Sequence, residues 1–273
     1  MVIHIFTGVS FWLIEDASIR RPRAYVSQFG TTALHLRNPF IVAFWSFAFP
    51  GCGHLLQKRL LKGIAFICWE TIVNTNAKVN LSIMYTMHGK FEEAIQTINI
   101  KWFLLYMAIY VFTIWDSYRG TVELNKQYLL ANREDGLIRP LTLNLFDINL
   151  LDKRLPLIAL LFSFLAPGMG HLYVQDVILG LFIIALIIVI LYFSNALPAV
   201  HYTFTGDFSH AIEIIDMQWF MYLPSFYLFV IYHAYVSTIE YNKLFEKAQS
   251  KYLRVTYQNP NFASNLREFF DKQ

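Results

Sequence analysis

The sequence is poor in charge and in cysteine, and each shortage excludes a class of protein. Only 15% of its 273 residues are Asp, Glu, Lys or Arg, against about 25% in an ordinary soluble domain. Residues 155–172 and 178–200 carry no charge at all, and the second stretch is long enough to cross a hydrocarbon core of roughly 30 Å. A soluble globular domain is thereby excluded in favour of a multi-span membrane protein. The two cysteines, Cys52 and Cys68, form no CxxC, so neither a disulfide framework nor a zinc site follows. HExxH, GxSxG, Walker, GxGxxG and paired-carboxylate motifs are all missing, so no enzyme, cofactor or metal is expected. A net charge of +3 gives no support for nucleic-acid binding. The short basic run Ile19-Arg20-Arg21-Pro22-Arg23 suits a membrane-surface anchor. The first residues lack the basic start and small-residue cleavage site of a signal peptide, and Glu15-Asp16 follow instead. They read as part of the mature chain, with Val2, Ile5, Phe6, Val9, Trp12 and Leu13 on one face of an interfacial helix.

What is abundant is apolar and aromatic, at 56% and 17% of the residues, and it is arranged twice. Pro50-Gly51-Cys52-Gly53-His54-Leu55 returns as Pro167-Gly168-Met169-Gly170-His171-Leu172. At the same offset Arg37 meets Arg154, Pro39 meets Pro156, and Ser46-Phe47 meets Ser163-Phe164. Gly63 meets Gly180 and Trp102-Phe103 meets Trp219-Phe220. Thr121-Val122-Glu123-Leu124-Asn125-Lys126 meets Thr238-Ile239-Glu240-Tyr241-Asn242-Lys243. A register held so far without a gap is a tandem duplication. The expected organisation is an N-terminal extension (1–36), repeat 1 (37–126), a cytoplasmic connector (127–153), repeat 2 (154–243) and a cytoplasmic tail (244–273).

Each repeat has three apolar segments: 38–49, 63–79 and 102–118, then 155–166, 178–200 and 219–237. The first of each is too short for a bilayer core unless it continues through the Pro-Gly stretch. Charge arbitrates. If the first segment dips in and returns, one side of the membrane holds 19 Lys and Arg and the other 3. If all three segments span, the division is 13 against 9. Cytoplasmic loops are enriched in Lys and Arg. The expected fold is therefore all-α and integral to the plasma membrane, with four full transmembrane helices and two short re-entrant or half-inserted Pro-Gly hairpins. Both termini are cytoplasmic, the two repeats run parallel, and six spans is the alternative. Short amphipathic helices are expected from Phe91 and from Phe208, in the outer loops.

Four groups of residues are candidates for chemistry. In Pro50, Gly51, Gly53, His54 and in Pro167, Gly168, Gly170, His171, proline removes a donor and glycine permits positive φ, which makes a sharp turn. Its histidines either bond a carbonyl freed by the turn or pair across a pseudo-axis as ligands or a proton relay. Glu70, Asp116 and His233 fall inside apolar segments, where an ionisable group marks a functional site by default. Asp116 and His233 share one register position, whereas Glu70 corresponds to Ile187. Glu123 and Glu240, with Asn125, Lys126, Asn242 and Lys243, either contact a partner, cap the basic loop at Lys58-Arg59, or form local charge pairs.

An apolar segment closing on Pro-Gly-x-Gly-His-Leu, then a variable turn, a Gly and a second apolar segment, resembles the TM2-domain family. The residues that carry the resemblance are Gly51, Gly53, His54 and Gly63, with Gly168, Gly170, His171, Tyr173 and Gly180. Trp115-Asp116 is similar to the family's Trp-rich ending with an Asp, whereas Tyr232-His233 departs from it. The resemblance implies a small integral membrane module of undefined activity, with the first apolar segment as a span, contrary to the charge count. The functional reading is a non-enzymatic scaffold or accessory subunit that meets the lipid bilayer and a protein partner or further copies of itself. The alternative is a transporter or channel component whose pathway, between the repeats, is lined by Glu70, His54, His171 and His233.

Overall fold

The computed structural model describes residues 21–27, 29–135, 138, 141–143 and 148–258. The interfacial helix read over 1–13, the start of the basic run and the end of the tail lie outside the described residues. The chain is mostly helical. It opens with α1 (Pro39–Ala48), α2 (Cys52–Leu56), α3 (Leu60–Ala77), α4 (Val79–Met87), α5 (Phe91–Thr97) and α6 (Ile100–Glu134). Then follow α7 (Pro156–Leu165), α8 (Met169–Tyr173), α9 (Val177–Ser194), α10 (Ala196–Thr205), α11 (Phe208–Ile214), α12 (Met217–Phe220) and α13 (Tyr222–Tyr257). From α1 to α6 every helix start recurs at the offset that separates Pro50 from Pro167, with α12 standing for the first turn of α6.

Two antiparallel hairpins, which the sequence reading does not include, precede the helices of each half. They are β1 (Ala24–Ser27) with β2 (Gly30–Ala33), and β3 (Leu141–Leu143) with β4 (Ile148–Leu150). They sit against each other, with Thr142 Oγ1 donating to the Val26 carbonyl at 2.9 Å and Asn149 Nδ2 to that of Ser27 at 2.7 Å. The Tyr241 hydroxyl donates to the Leu150 carbonyl at 2.7 Å, fixing the pair to α13.

The first segments form as half-helices. Asn38 caps α1 by accepting from the Phe40 N–H, and Pro39 takes the first helical position, where its missing donor costs nothing. Each half-helix stops at its Pro-Gly. Gly51 has φ 98° and Gly168 φ 101°, a region that side chains avoid. The long apolar stretch 178–200 is not one helix. Asn195 adopts a left-handed conformation (φ 54°) and separates α9 from α10, as Lys78 (φ 56°) separates α3 from α4. The helices expected from Phe91 and Phe208 are present as α5 and α11.

Among the described residues α9 is the one helix long and apolar enough by itself to cross a bilayer. There are up to three if α6 and the α12–α13 run are each taken with the short helix before them, from which they bend by 91° and 84°. α3 has the same length as α9 but is interrupted by Lys62, Glu70, Asn74 and Asn76.

Side-chain contacts fix the path of the hairpins against the long helices. At the start of α1, the Asn125 carboxamide accepts from the Arg37 N–H at 3.0 Å and donates to the Arg37 carbonyl at 2.7 Å. At its end, the Tyr110 hydroxyl donates to the Phe47 carbonyl at 2.7 Å. α1 thus runs antiparallel to α6 along about 22 Å of it. After the turn the chain comes back. Gln57 donates to the Ser117 carbonyl at 2.5 Å and to Thr121 at 2.9 Å, so α3 begins near the end of α6 where α1 began. Repeat 2 uses the same contacts: Asn242 on Arg154 at 2.8 and 2.6 Å, and Tyr227 on the Phe164 carbonyl.

Between the halves lies one apolar core. Val42, Phe49, Cys52, Leu55, Leu56 and Ile67 pack with Leu179, Ile183, Ile187, Ile190, Tyr222, Phe226, Phe229 and Val230. The Trp45 ring meets those of Phe229 and Tyr232 at 5.3 and 5.0 Å, and Phe49 meets Phe226 at 5.2 Å.

Candidate functional site

Each residue of the repeated turn is held by a specific close approach. A Cβ on Gly51 would stand 2.5 Å from the Gly63 carbonyl oxygen, and on Gly168 2.8 Å from that of Gly180. A Cβ on Gly53 would collide with Ser46 Oγ and the Val42 carbonyl, and on Gly170 with Ser163 Oγ and the Ala159 carbonyl. The shared Ser and Gly residues therefore exist to bring backbones together.

The histidines take neither of the two roles expected for them. They bond neither a freed carbonyl nor one another across the repeats. Each reaches the long last helix of its own half, α6 or α13, at one register position. His54 Nε2 lies 2.8 Å from Asp116 Oδ2, and His171 Nε2 lies 2.8 Å from His233 Nδ1. The second pair is stacked at 17° between ring planes, and both rings are buried. In the first pair Asp116 also accepts from Lys62 Nζ at 2.6 Å. Asp116→Ala should therefore strand a buried imidazole, at about 1–3 kcal/mol. Asp116→His, which copies repeat 2, should recover most of the loss. Thermal unfolding of the two purified variants checks both, and equal losses would contradict the pairing.

Glu70 belongs to a third, separate place. Asn74 Nδ2 donates to its Oε1 at 2.8 Å and the Tyr106 hydroxyl approaches at 3.4 Å, while Oε2 is buried without a partner. Asn74 continues to Asn80 at 3.0 Å and accepts from Gln218 Nε2 at 2.9 Å, and Asn80 donates to the Gln218 carbonyl at 3.0 Å. This network joins the halves at the end away from the hairpin mouths. Tyr106 and Asp116 are about 15 Å apart along α6, so Glu70, Asp116 and His233 form no common constellation. Cys52 is buried and Cys68 exposed, both free, and among the described residues no three His, Cys, Asp or Glu side chains cluster as metal ligands.

The Asn of the repeated Thr-x-Glu-x-Asn-Lys run, expected to contact a partner or cap the basic loop, instead anchors each half-helix. The acids differ. Glu123 makes an exposed pair with Arg119 at 3.1 Å. Glu240 is buried and pairs across the halves with Arg37. Neither caps Lys58-Arg59, because Lys58 pairs with Asp176 of the other half. Lys126 is exposed. Lys243 lines a cavity of about 300 Å³ with Arg23, His35, Arg37, Tyr128, Glu240 and the apolar Val42 and Leu56.

Arg23, Arg37 and Lys243 there face a single carboxylate, Glu240, which Arg37 already pairs. Burial, reinforced by Arg37, Lys58, Arg23 and Lys243, lowers the His35 pKa to about 3. Burial pushes Glu240 up, against the pull of Arg37 and Lys58. An unfolded His titrates near 6.5, so between about 3 and 6.5 the unfolded chain binds a proton that the folded chain refuses. His35 therefore favours folding fully above pH 6.5, and this contribution is lost as pH falls through the window. Denaturant unfolding at pH 7.5 and 5.0 should show a smaller acid loss in His35→Gln than in wild type. Equal losses would refute the assignment.

Compared with protein-family models, with curated proteins and with solved structures, the chain matches none.

Proposed function

We propose that the chain is a non-enzymatic integral membrane protein acting as a scaffold or accessory subunit. It is built as two parallel repeats with four spans and two half-inserted hairpins, and both termini face the cytoplasm of a plasma membrane. The observation that carries this reading is the filling between the halves. Where a transporter keeps a wetted, polar site midway between its repeats, this chain has Phe49, Ile183, Phe226 and Phe229, all buried, and the polar cavity at Arg37 and Glu240 lies at one end of that core. Its ionisable groups are used in pairs within each half or at the two ends.

The half-inserted geometry is supported by α1 and α3 starting near the same end of α6. It is supported too by the ten residues of α1, about 15 Å of helix. Such a hairpin is tolerated at membrane depth only when protein covers its backbone, and the Tyr110 and Asn125 contacts provide that cover. α3 serves as a span in spite of its polar residues, because Lys62 and Glu70 each have a partner. The TM2-domain resemblance supports a small membrane module, and the His54–Asp116 pair joins the two ends of the stretch that carries it.

Purified protein in proteoliposomes, beside Glu70→Gln and His171→Ala, tests the reading. No protein-dependent flux of protons, Na⁺, K⁺ or Cl⁻ is expected from wild type. A wild-type flux that Glu70→Gln abolishes would replace the scaffold with a transport component.

A further inference from the structure

We infer that a second copy of this chain docks, head to tail, through the outer face of its α6 onto the outer face of the second hairpin, α7–α8. The inference deepens the scaffold reading by naming the partner, and rests on it. It follows from comparing what covers the two hairpins. α13 is used on two faces. One holds its own hairpin through Tyr227, His233 and Asn242. The other, formed by Tyr222, Phe226, Phe229, Tyr232 and Glu240, covers the first hairpin at Phe49, Trp45 and Arg37.

α6 holds its own hairpin in the same way, through Tyr110, Asp116 and Asn125. Its second face, at the register positions of the covering residues, is Leu105, Ile109, Phe112, Trp115 and Glu123. Among the described residues Phe66 of α3 meets Phe112 ring to ring at 6.2 Å and Arg119 lies over Trp115, yet Leu105, Phe112, Trp115 and Glu123 all stay exposed. Phe112 is 43% and Trp115 51% exposed, where Phe229 is 0%. The complementary surface is open too. The second hairpin presents Phe162, 46% exposed, and Met169, 47% exposed, at the positions of Trp45 and buried Cys52.

Lipid would cover any apolar face, but lipid does not account for the match between these two. Placing α6 of one copy where α13 lies on the first hairpin sets Phe162 against Phe112 and Trp115. That repeats the aromatic contacts of Trp45 with Phe229 and Tyr232. It also sets Arg154 against Glu123, repeating Arg37 with Glu240. Arg154 lies over the rings of Tyr173 and Tyr241 and has no carboxylate within ion-pair distance among the described residues. The Glu123 carboxylate is only loosely held by Arg119, both being more than half exposed. The interface that joins the halves of one chain is thus offered a second time between chains. Because the two surfaces differ, the contact is heterologous, and it extends to rings or files rather than to an isologous pair.

Cysteine cross-linking in membranes carrying the full chain, with Cys52 and Cys68 replaced by Ala, separates this from other assemblies. Phe162→Cys and Trp115→Cys are made on separate copies and both are co-expressed, with a short bismaleimide as the linker. Both positions are exposed, so neither change disturbs the core, and gel filtration of each variant verifies folding. The mixed sample is expected to give a two-chain adduct at least tenfold above either variant alone. The double variant on one chain is expected to give a ladder of higher adducts. Self-adducts of either single variant matching the mixed sample, or no adduct in any sample, would overturn the inference. The flux measurement is unaffected by that outcome, so failure of the docking and failure of the scaffold reading are distinguishable.

Discussion

Gly51→Ala is expected to destabilise the protein by about 2–5 kcal/mol. Two costs combine. The residue sits at φ 98°, where an L side chain costs roughly 1–2 kcal/mol. The new Cβ would also lie 2.5 Å from the Gly63 carbonyl and 2.9 Å from the Ile67 amide nitrogen, and overpacking of a closed site adds typically 1–3 kcal/mol. Backbone on both sides cannot move aside as a flexible side chain could. Gly168→Ala should behave alike, since its φ and its approach to Gly180 are nearly the same. Gly89 is the control. It also has positive φ, but nothing lies within 4 Å of its Cβ position, so Gly89→Ala should cost only the conformational part. Thermal unfolding followed by tryptophan fluorescence gives the comparison, with a fall of roughly 10 °C for Gly51→Ala. Equal, small shifts at positions 51 and 89 would mean that the hairpin is not packed as described.

Asn125→Ala is the second large effect, expected at about 2–4 kcal/mol. The carboxamide makes two hydrogen bonds to one backbone unit, at 3.0 and 2.7 Å from Arg37. Truncation leaves a partly buried N–H and C=O without partners, at roughly 1–3 kcal/mol each before water compensates. A half-helix of ten residues has little intrinsic stability, so losing its anchor should loosen the whole hairpin. Asn125→Asp should not rescue it, because the carboxylate keeps the acceptor but presents an oxygen to the Arg37 carbonyl. Rescue by Asp, measured as urea or thermal unfolding of the purified variants, would show that the donor half of the contact is unimportant.

These two residues illustrate what could be read in advance. The turn at Gly51 was legible because its requirements are local: a proline, two glycines and an apolar segment already too short to span. The period was legible because packing glycines and anchors tolerate few replacements. Asn125 was visible only as part of a repeated Thr-x-Glu-x-Asn-Lys run. Its role depends on Arg37, 88 residues away, and nothing in the neighbouring sequence points there. The glutamates in the same run looked more chemical, yet one is buried in an ion pair and the other is exposed. The histidines were recognised, but their partners stand 62 residues on and differ between the halves. Asn195 was hidden inside an uncharged stretch because hydropathy does not register a left-handed residue. The strands were missed for a similar reason: β1–β2 and β3–β4 are only three or four residues each and share almost no sequence. They lie in stretches that the sequence marks only as N-terminal extension and connector.

Side-specific labelling of single cysteines most directly tests the central claim, that each hairpin enters and leaves on one face. On a background with Cys52 and Cys68 replaced by Ala, Lys153→Cys marks the chain before α7. Gln175→Cys marks it after α8, and His88→Cys the loop between α4 and α5. With a membrane-impermeant maleimide on intact cells, position 88 is expected to label, whereas 153 and 175 label only after permeabilisation. Labelling of 153 and 175 from opposite sides would make α7 part of a full span and contradict the half-inserted fold.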